Sequence, residues 1–122
     1  MTSVLVVIEP HRTLAEAQAL MRRHSIRHLP VVELGRIAGL LSQRDVYLVE
    51  TLRDVDPHEA EVAEAMSADI FLVDADAPLE LVAREMADRR LGSAIVAREG
   101  KPLGIFTTTD ALRALAVLAA EG

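Results

Sequence analysis

The chain nearly repeats itself. Gly35, Gly39, Ser42 and Asp45 recur as Gly100, Gly104, Thr107 and Asp110, a constant offset of 65 residues without a gap. Upstream, Met1, Leu14, Met21 and Val31 fall on Met66, Leu79, Met86 and Val96 in the same register. Outright identities are few, but the class of residue matches along most of the register. A solenoid stacks several such units. A long period present twice points instead to one small unit folded twice, the copies packed against each other. Any ligand site built by one copy is then expected to have a counterpart in the other.

Each copy reads as β-α-β-β-α. Val4–Ile8 is a β-branched run ended by Pro10 and predicts a strand. Thr13 and Glu16 have the spacing of a capping box. They open a helix whose Leu14, Ala17 and Met21 recur at helical spacing, with Leu20 beside them. Leu29–Val32 and Arg36–Ser42 predict a hairpin turned by Glu33–Gly35, and Arg44–Leu52 a helix. Asp54–Pro57 is a polar hinge, and Glu59–Met66 a short helical lead-in. The order then recurs: strand Ile70–Val73, helix Pro78–Arg90, strand Ala94–Arg98, turn Glu99–Gly100, strand Pro102–Thr107 and helix Thr108–Ala120. In the second long helix Leu79, Val82, Ala83 and Met86 form the expected apolar stripe, and Met21 and Met86 are expected in the core. The fold class is α/β of the α+β kind. The register gives a first repeat over 1–53, a linker over 54–60 and a second repeat over 61–122. A lone unit of this size buries too little surface for comfort. The apolar runs Leu29–Val32 and Ala94–Ala97 suit sheets covered on both faces, so the two repeats are expected to pack through their sheets with pseudo-two-fold symmetry.

Composition narrows the function. With three aromatic residues (Tyr47, Phe71 and Phe106) and no Trp, the core must be aliphatic. There is no Cys, which excludes disulfides, thiolate metal sites and Cys nucleophiles and suits a reducing, cytoplasmic setting. No stretch approaches the roughly 20 apolar residues of a membrane span. The start of the chain lacks the basic region of a signal peptide. The net charge is −6, and the acidic excess lies beyond residue 56. This argues against nucleic-acid binding, which draws on clustered Lys and Arg, but is compatible with one anionic small molecule in a local basic pocket.

The sharpest motif is an apolar strand, then Ser/Thr, two residues, Asp and a helix. It occurs as Gly39-Leu40-Leu41-Ser42-Gln43-Arg44-Asp45 and as Gly104-Ile105-Phe106-Thr107-Thr108-Thr109-Asp110. One reading is structural: the spacing is that of a helix capping box. The other is functional. A helix N-terminus suits a phosphate, and a carboxylate one turn in can accept hydrogen bonds from the vicinal hydroxyls of a ribose. Nucleotides present both groups.

With Ile26-Arg27-His28-Leu29-Pro30-Val31-Val32 and Leu91-Gly92-Ser93-Ala94-Ile95-Val96, these segments resemble the CBS domain, named after cystathionine β-synthase. The resemblance covers nearly the whole chain as a tandem pair, or Bateman module. It implies a sensor that binds AMP, ADP, ATP or S-adenosylmethionine in clefts between the repeats. It implies ribose contacts from Asp45 and Asp110, and ribose or phosphate contacts from Ser42, Arg44, Thr107 and Thr109. It implies a base lined by His28, Leu29 and Pro30 in one site and by Ser93, Ala94 and Ile95 in the other. Further contacts are implied near Val4 and Ile70. The two sites are expected to be unequal, because Gly92 and Ser93 replace Arg27 and His28, and Thr109 replaces Arg44.

The other functional classes fare less well. His11 and His58 lie in loop and hinge, His24 ends a helix, and no His pairing has convincing metal-ligand spacing, so no metal site is expected. There is no nucleophile elbow, Walker loop or dinucleotide glycine fingerprint, and Asp74 and Asp76 suit a helix N-terminus without a catalytic task. No enzyme activity and no required cofactor are expected. The apolar side chains Val46, Leu48 and Val49, and Leu112, Leu115, Val117 and Leu118, exceed what one intramolecular face needs. They predict a homodimer, in keeping with the dimers the resemblance implies. The regulated protein would act in trans or belong to a longer parent chain. The alternative is a ligand-free dimerisation or adaptor module whose two motifs are helix caps alone.

Overall fold

The computed structural model describes residues 5–121 and divides the chain into two compact units. One is Val6–Ile70; the other runs from Phe71 and includes Leu5. The expected contacts near Val4, and the Met1 position of the register, lie outside the described residues. Both units combine helices with strands, giving the α+β fold that the repeat pattern predicts.

The first unit contains α1 (Leu14–His24), β1 (His28–Glu33), β2 (Arg36–Ser42), α2 (Gln43–Arg53) and α3 (Val62–Ala65). The Thr13–Glu16 capping box that starts α1 is present. Ser25, with φ 53° and ψ 45°, ends the helix in the left-handed conformation, its N–H bonded to the carbonyls of Arg22 and Met21. β1 and β2 form an antiparallel hairpin joined by Leu34 and Gly35, both at positive φ (50° and 77°). That two-residue geometry matches the twist of the flanking strands. The strand expected over Val4–Ile8 is reduced, among the described residues, to one parallel bridge between Ile8 and Val31. The Ile8 N–H donates to the Pro30 carbonyl at 3.1 Å and the Val32 N–H to the Ile8 carbonyl at 2.9 Å. A turn begins at Pro10, whose missing N–H cannot extend the ladder.

The second unit contains β3 (Leu72–Asp74), α4 (Leu79–Arg89), β4 (Ser93–Arg98), β5 (Lys101–Thr107) and α5 (Thr108–Glu121). Its geometry repeats the first at the sequence offset. The Ile8–Val31 bridge becomes the parallel pair Val73–Val96, and His28–Ser42 becomes Ser93–Thr107. The irregularity between Val31 and Val32 returns between Val96 and Ala97. The left-handed residues Ser25, Leu34 and Gly35 return as Arg90, Glu99 and Gly100. The repeat is therefore one of backbone conformation as well as residue class.

The cores differ. In the first unit Leu14, Leu29, Val31, Leu41 and Val62 are completely buried, with Ala17, Met21 and Val46 beside them. In the second, the buried cluster is Val82, Met86 and Ala94. The Arg89 guanidinium lies over the Phe71 ring, 5.1 Å from its centroid. Leu79, expected in the apolar stripe, is 49% exposed, whereas its register partner Leu14 is 0% exposed. The reason is the segment around α3. The Leu14 N–H donates to the Ala60 carbonyl at 2.9 Å, the Val62 N–H donates to the Arg12 carbonyl at 2.8 Å, and Ala60 and Val62 are buried in the same cluster. This segment packs on the first unit, over Leu14. Val46, expected on an apolar outer surface, is instead a core residue at 1% exposure.

Candidate functional site

Both Ser/Thr-x-x-Asp motifs close as reciprocal boxes at the start of a helix. In the first unit the Ser42 N–H donates to Asp45 Oδ2 at 3.0 Å, and the Asp45 N–H donates to Ser42 Oγ at 3.0 Å. In the second, the Thr107 N–H and hydroxyl donate to Asp110 Oδ2 at 2.8 and 3.1 Å, and the Asp110 N–H donates to Thr107 Oγ1 at 3.3 Å. Each motif thus caps its helix, and it fixes the carboxylate at the positive end of the helix dipole. Burial raises the tendency of Asp110 to stay protonated. Hydrogen bonds, those from the Thr107 N–H and hydroxyl among them, outweigh it and hold the carboxyl below its usual range.

The strand pairing places each motif beside the residues entering the middle strand. His28 pairs with Ser42, and Ser93 with Thr107. The link is tightened by the Gln43 N–H donating to the Arg27 carbonyl at 2.8 Å, and by the Thr108 N–H donating to the Gly92 carbonyl at 3.0 Å. The neighbouring apolar residues are withdrawn from solvent: Leu29, Pro30, Ala94 and Ile95 are all buried. His28 and Ser93 are half-buried, and Arg44 and Thr109 are exposed. Burial pushes the His28 pKa below its ordinary value, the negative charge of Asp45 opposes that, and Arg27 adds to the lowering.

Three of the expected residues, His28, Ser42 and Arg44, line one surface cavity of about 620 Å³ within the first unit. Asp45, Leu29 and Pro30 do not line it. The cavity is a groove between α1 and α2. Gln18, Met21 and Arg22 come from α1, and Arg27 precedes β1. Gln43, Tyr47 and Glu50 complete the α2 wall. Gln18 Nε2 donates to Glu50 Oε1 at 2.9 Å across the groove. The sequence motifs miss the α1 wall and the later α2 positions. The available signal was helical phase: Gln18 with Arg22, and Arg44 with Tyr47 and Glu50, recur at the spacing that shares a helix face.

No group of His, Asp and Glu among the described residues is placed to hold a metal ion. His11 instead lies beside the Glu9 carboxylate, 3.3 Å away. Among the described residues, no helix is long and apolar enough to cross a membrane.

Comparison with known proteins gives a consistent result. A family model described as the CBS domain matches residues 1–49 and 62–117. The chain is 29% identical over 110 residues to the CBS domain-containing protein YhcV of Bacillus subtilis, covering 90% of this chain and 78% of that protein. Its fold is similar to that of a CBS-domain protein from Burkholderia ambifaria, with a TM-score of 0.84 at 22% identity over 94% of this chain and 85% of that one. It is also similar to the cytosolic domain of the Mg2+ channel MgtE, solved in complex with ATP, with a TM-score of 0.76 at 33% identity over 93% of this chain and 46% of that one. The ordered motifs, their repetition and these matches lead to one conclusion: the chain belongs to the CBS-domain family and carries two CBS repeats.

Proposed function

We propose that this CBS pair is a regulatory module that binds an adenosine-containing ligand, AMP, ADP, ATP or S-adenosylmethionine. Asp45 and Asp110 hold the ribose hydroxyls. Ser42, Arg44, Thr107 and Thr109 face ribose and phosphate. His28, Leu29 and Pro30, and Ser93, Ala94 and Ile95, border the base, with Ile70 nearby. The observation that carries this reading is the paired carboxylate geometry. In the first box the motif engages Asp45 through Oδ2, so the cap leaves Oδ1 outside it as an acceptor for a diol. The ATP complex of the MgtE cytosolic domain supports the ligand class. Ligand binding shifts the module between conformations by its differential affinity for them, and the change is passed to a partner protein. No catalysis and no cofactor requirement form part of this reading. Titration calorimetry with ATP, AMP and S-adenosylmethionine tests it: Asp45→Ala or Asp110→Ala removes binding at the site concerned while the chain stays folded.

The second reading is a ligand-free dimerising adaptor, and one observation bears on its dimer. No residue of α5 is buried, and Leu112, Leu115, Val117 and Leu118 are each more than half exposed. A homodimer through α5 accommodates that surface and is compatible with either reading. Sedimentation equilibrium of the wild type and of Leu115→Glu distinguishes a dimer from a monomer.

A further inference from the structure

The first unit has an open sheet edge. The Ile8 N–H and carbonyl both bond to β1, so in extended backbone the groups of Val7 and Glu9 point to the opposite edge. There the Glu9 carbonyl accepts from the Arg12 N–H at 3.3 Å. The Val7 N–H, the Val7 carbonyl and the Glu9 N–H have no partner among the described residues. A residue with both groups open is the unit that exchanges two hydrogen bonds with an added strand.

Beside this edge lies a cavity of about 620 Å³, separate from the α1–α2 groove. Val7 and Glu9 form its strand side, Ala19, Leu20 and Arg23 its α1 side, and Leu34 at the hairpin turn its end wall. Leu34 is out of place by local rules. It is 96% exposed. At φ 50° it holds the left-handed conformation, which favours Asn, Asp or Gly in such a turn. An exposed apolar side chain and a disfavoured backbone both cost stability, and a position that carries both points to recognition.

One charge on the rim is left over. Arg12 lies 3.1 Å from Glu16 and 3.9 Å from Glu9, whereas Arg23 makes no ion pair among the described residues. The second repeat does not reproduce the lining. In the register Ala19 falls on Arg84, Leu20 on Glu85, Arg23 on Asp88 and Leu34 on Glu99.

Open backbone groups call for a ligand that has a peptide backbone of its own. We propose that the groove between Val7–Glu9 and α1 binds an extended peptide segment of a partner protein. The segment adds as a strand beside Val7, with an apolar side chain against Leu20 and Leu34 and an acidic side chain beside Arg23. Residues two apart in a strand share a face at a spacing of about 7 Å. Helix neighbours three apart, such as Leu20 and Arg23, lie about 5–6 Å apart, so the segment reads apolar-x-acidic. His28 and Ser42 lie at the other end of the hairpin from Leu34, so the site stands apart from the nucleotide reading.

The test is amide hydrogen exchange, read by NMR on the whole chain, with the peptide acetyl-Thr-Leu-Thr-Glu-Thr-amide and with the same peptide N-methylated at its central residues. Saturating peptide is expected to slow exchange at the Val7 and Glu9 amides about tenfold, the scale of one hydrogen bond. The N-methylated peptide, which keeps the side chains and loses the donors, is expected to have no effect. Leu34→Asn is expected to weaken the peptide about tenfold through lost apolar contact. Its urea midpoint stays level or rises, because Asn suits the turn. Arg23→Gln weakens the peptide about twofold to fivefold, as an exposed ion pair does. Glu99→Gln, at the matching turn of the second repeat, changes nothing. Unslowed exchange at Val7 and Glu9 with millimolar peptide overturns the proposal. So does equal binding of the N-methylated peptide, or full binding by Leu34→Asn. Slowing that appears without peptide as the protein is concentrated assigns the edge to a second copy and overturns it too. None of these outcomes touches the nucleotide reading.

Discussion

Ser42 and Asp45 hold each other through two 3.0 Å hydrogen bonds, each backbone N–H donating to the other's side chain. The pair starts α2 and fixes a carboxylate where a ribose is expected to lie. The same atoms therefore serve folding and the proposed recognition, and the two roles separate by substitution.

Ser42→Ala leaves the Asp45 N–H without its acceptor while keeping the carboxylate bond to the Ser42 backbone. The expected cost is about 1 kcal/mol, the usual worth of an N-cap. A lower urea midpoint at an unchanged slope checks it.

Leu14 and Leu79 share a register position but not an environment. Leu14→Ala empties a fully buried site and is expected to cost about 2–5 kcal/mol. Leu79→Ala removes a half-exposed side chain and is expected to cost well under half of that. Urea denaturation of the two variants side by side measures the difference.

That asymmetry shows where the sequence was readable and where it was not. The capping boxes, the hairpins and their positive-φ turns follow from local rules, and Ser42-x-x-Asp45 or Leu34-Gly35 announces them within four residues. The burial of Leu14 depends on a segment, Ala60 to Val62, far from it in sequence. The α1–α2 groove was hidden for a similar reason. Arg22, Tyr47 and Glu50 carry no motif, and packing of two helices far apart in sequence brings them to one cavity with Arg44.

Gly39 is buried where the chain crosses Ser67. A Cβ at this position would lie 2.7 Å from the Ser67 carbonyl oxygen and 2.9 Å from Met66 Sδ. The Ser67 oxygen also accepts from the Leu40 N–H at 2.9 Å, so it cannot retreat without loosening the Leu40–Ser67 bridge. Gly39→Ala is expected to cost about 1–3 kcal/mol, as overpacking does. Gly92→Ala, where nothing lies within 4 Å of the new Cβ, is the control and is expected to be nearly neutral. Thermal denaturation of both variants distinguishes them.

Stability is expected to fall on mild acidification through His28. Its folded pKa is depressed below 6.5 by burial, against the pull of Asp45 and with the push of Arg27. As pH drops through about 6.5, the unfolded chain takes up a proton that the folded chain resists. The contribution is therefore complete above that pH, declines below it, and levels off beneath the folded pKa. His28→Asn is expected to flatten the stability profile between about pH 7.5 and 5.5 relative to the wild type, read from urea midpoints at each pH.

The most direct measurement is thermal denaturation of the purified chain with AMP, ADP, ATP, S-adenosylmethionine and, as the contrast, GMP. A ligand at 100 times its dissociation constant adds about 2.7 kcal/mol, a rise of several degrees in Tm for a domain of this size. The account predicts that rise with at least one adenosine compound and none with GMP. Unchanged curves for all of them at millimolar concentration would contradict it and leave Asp45 and Asp110 as helix caps.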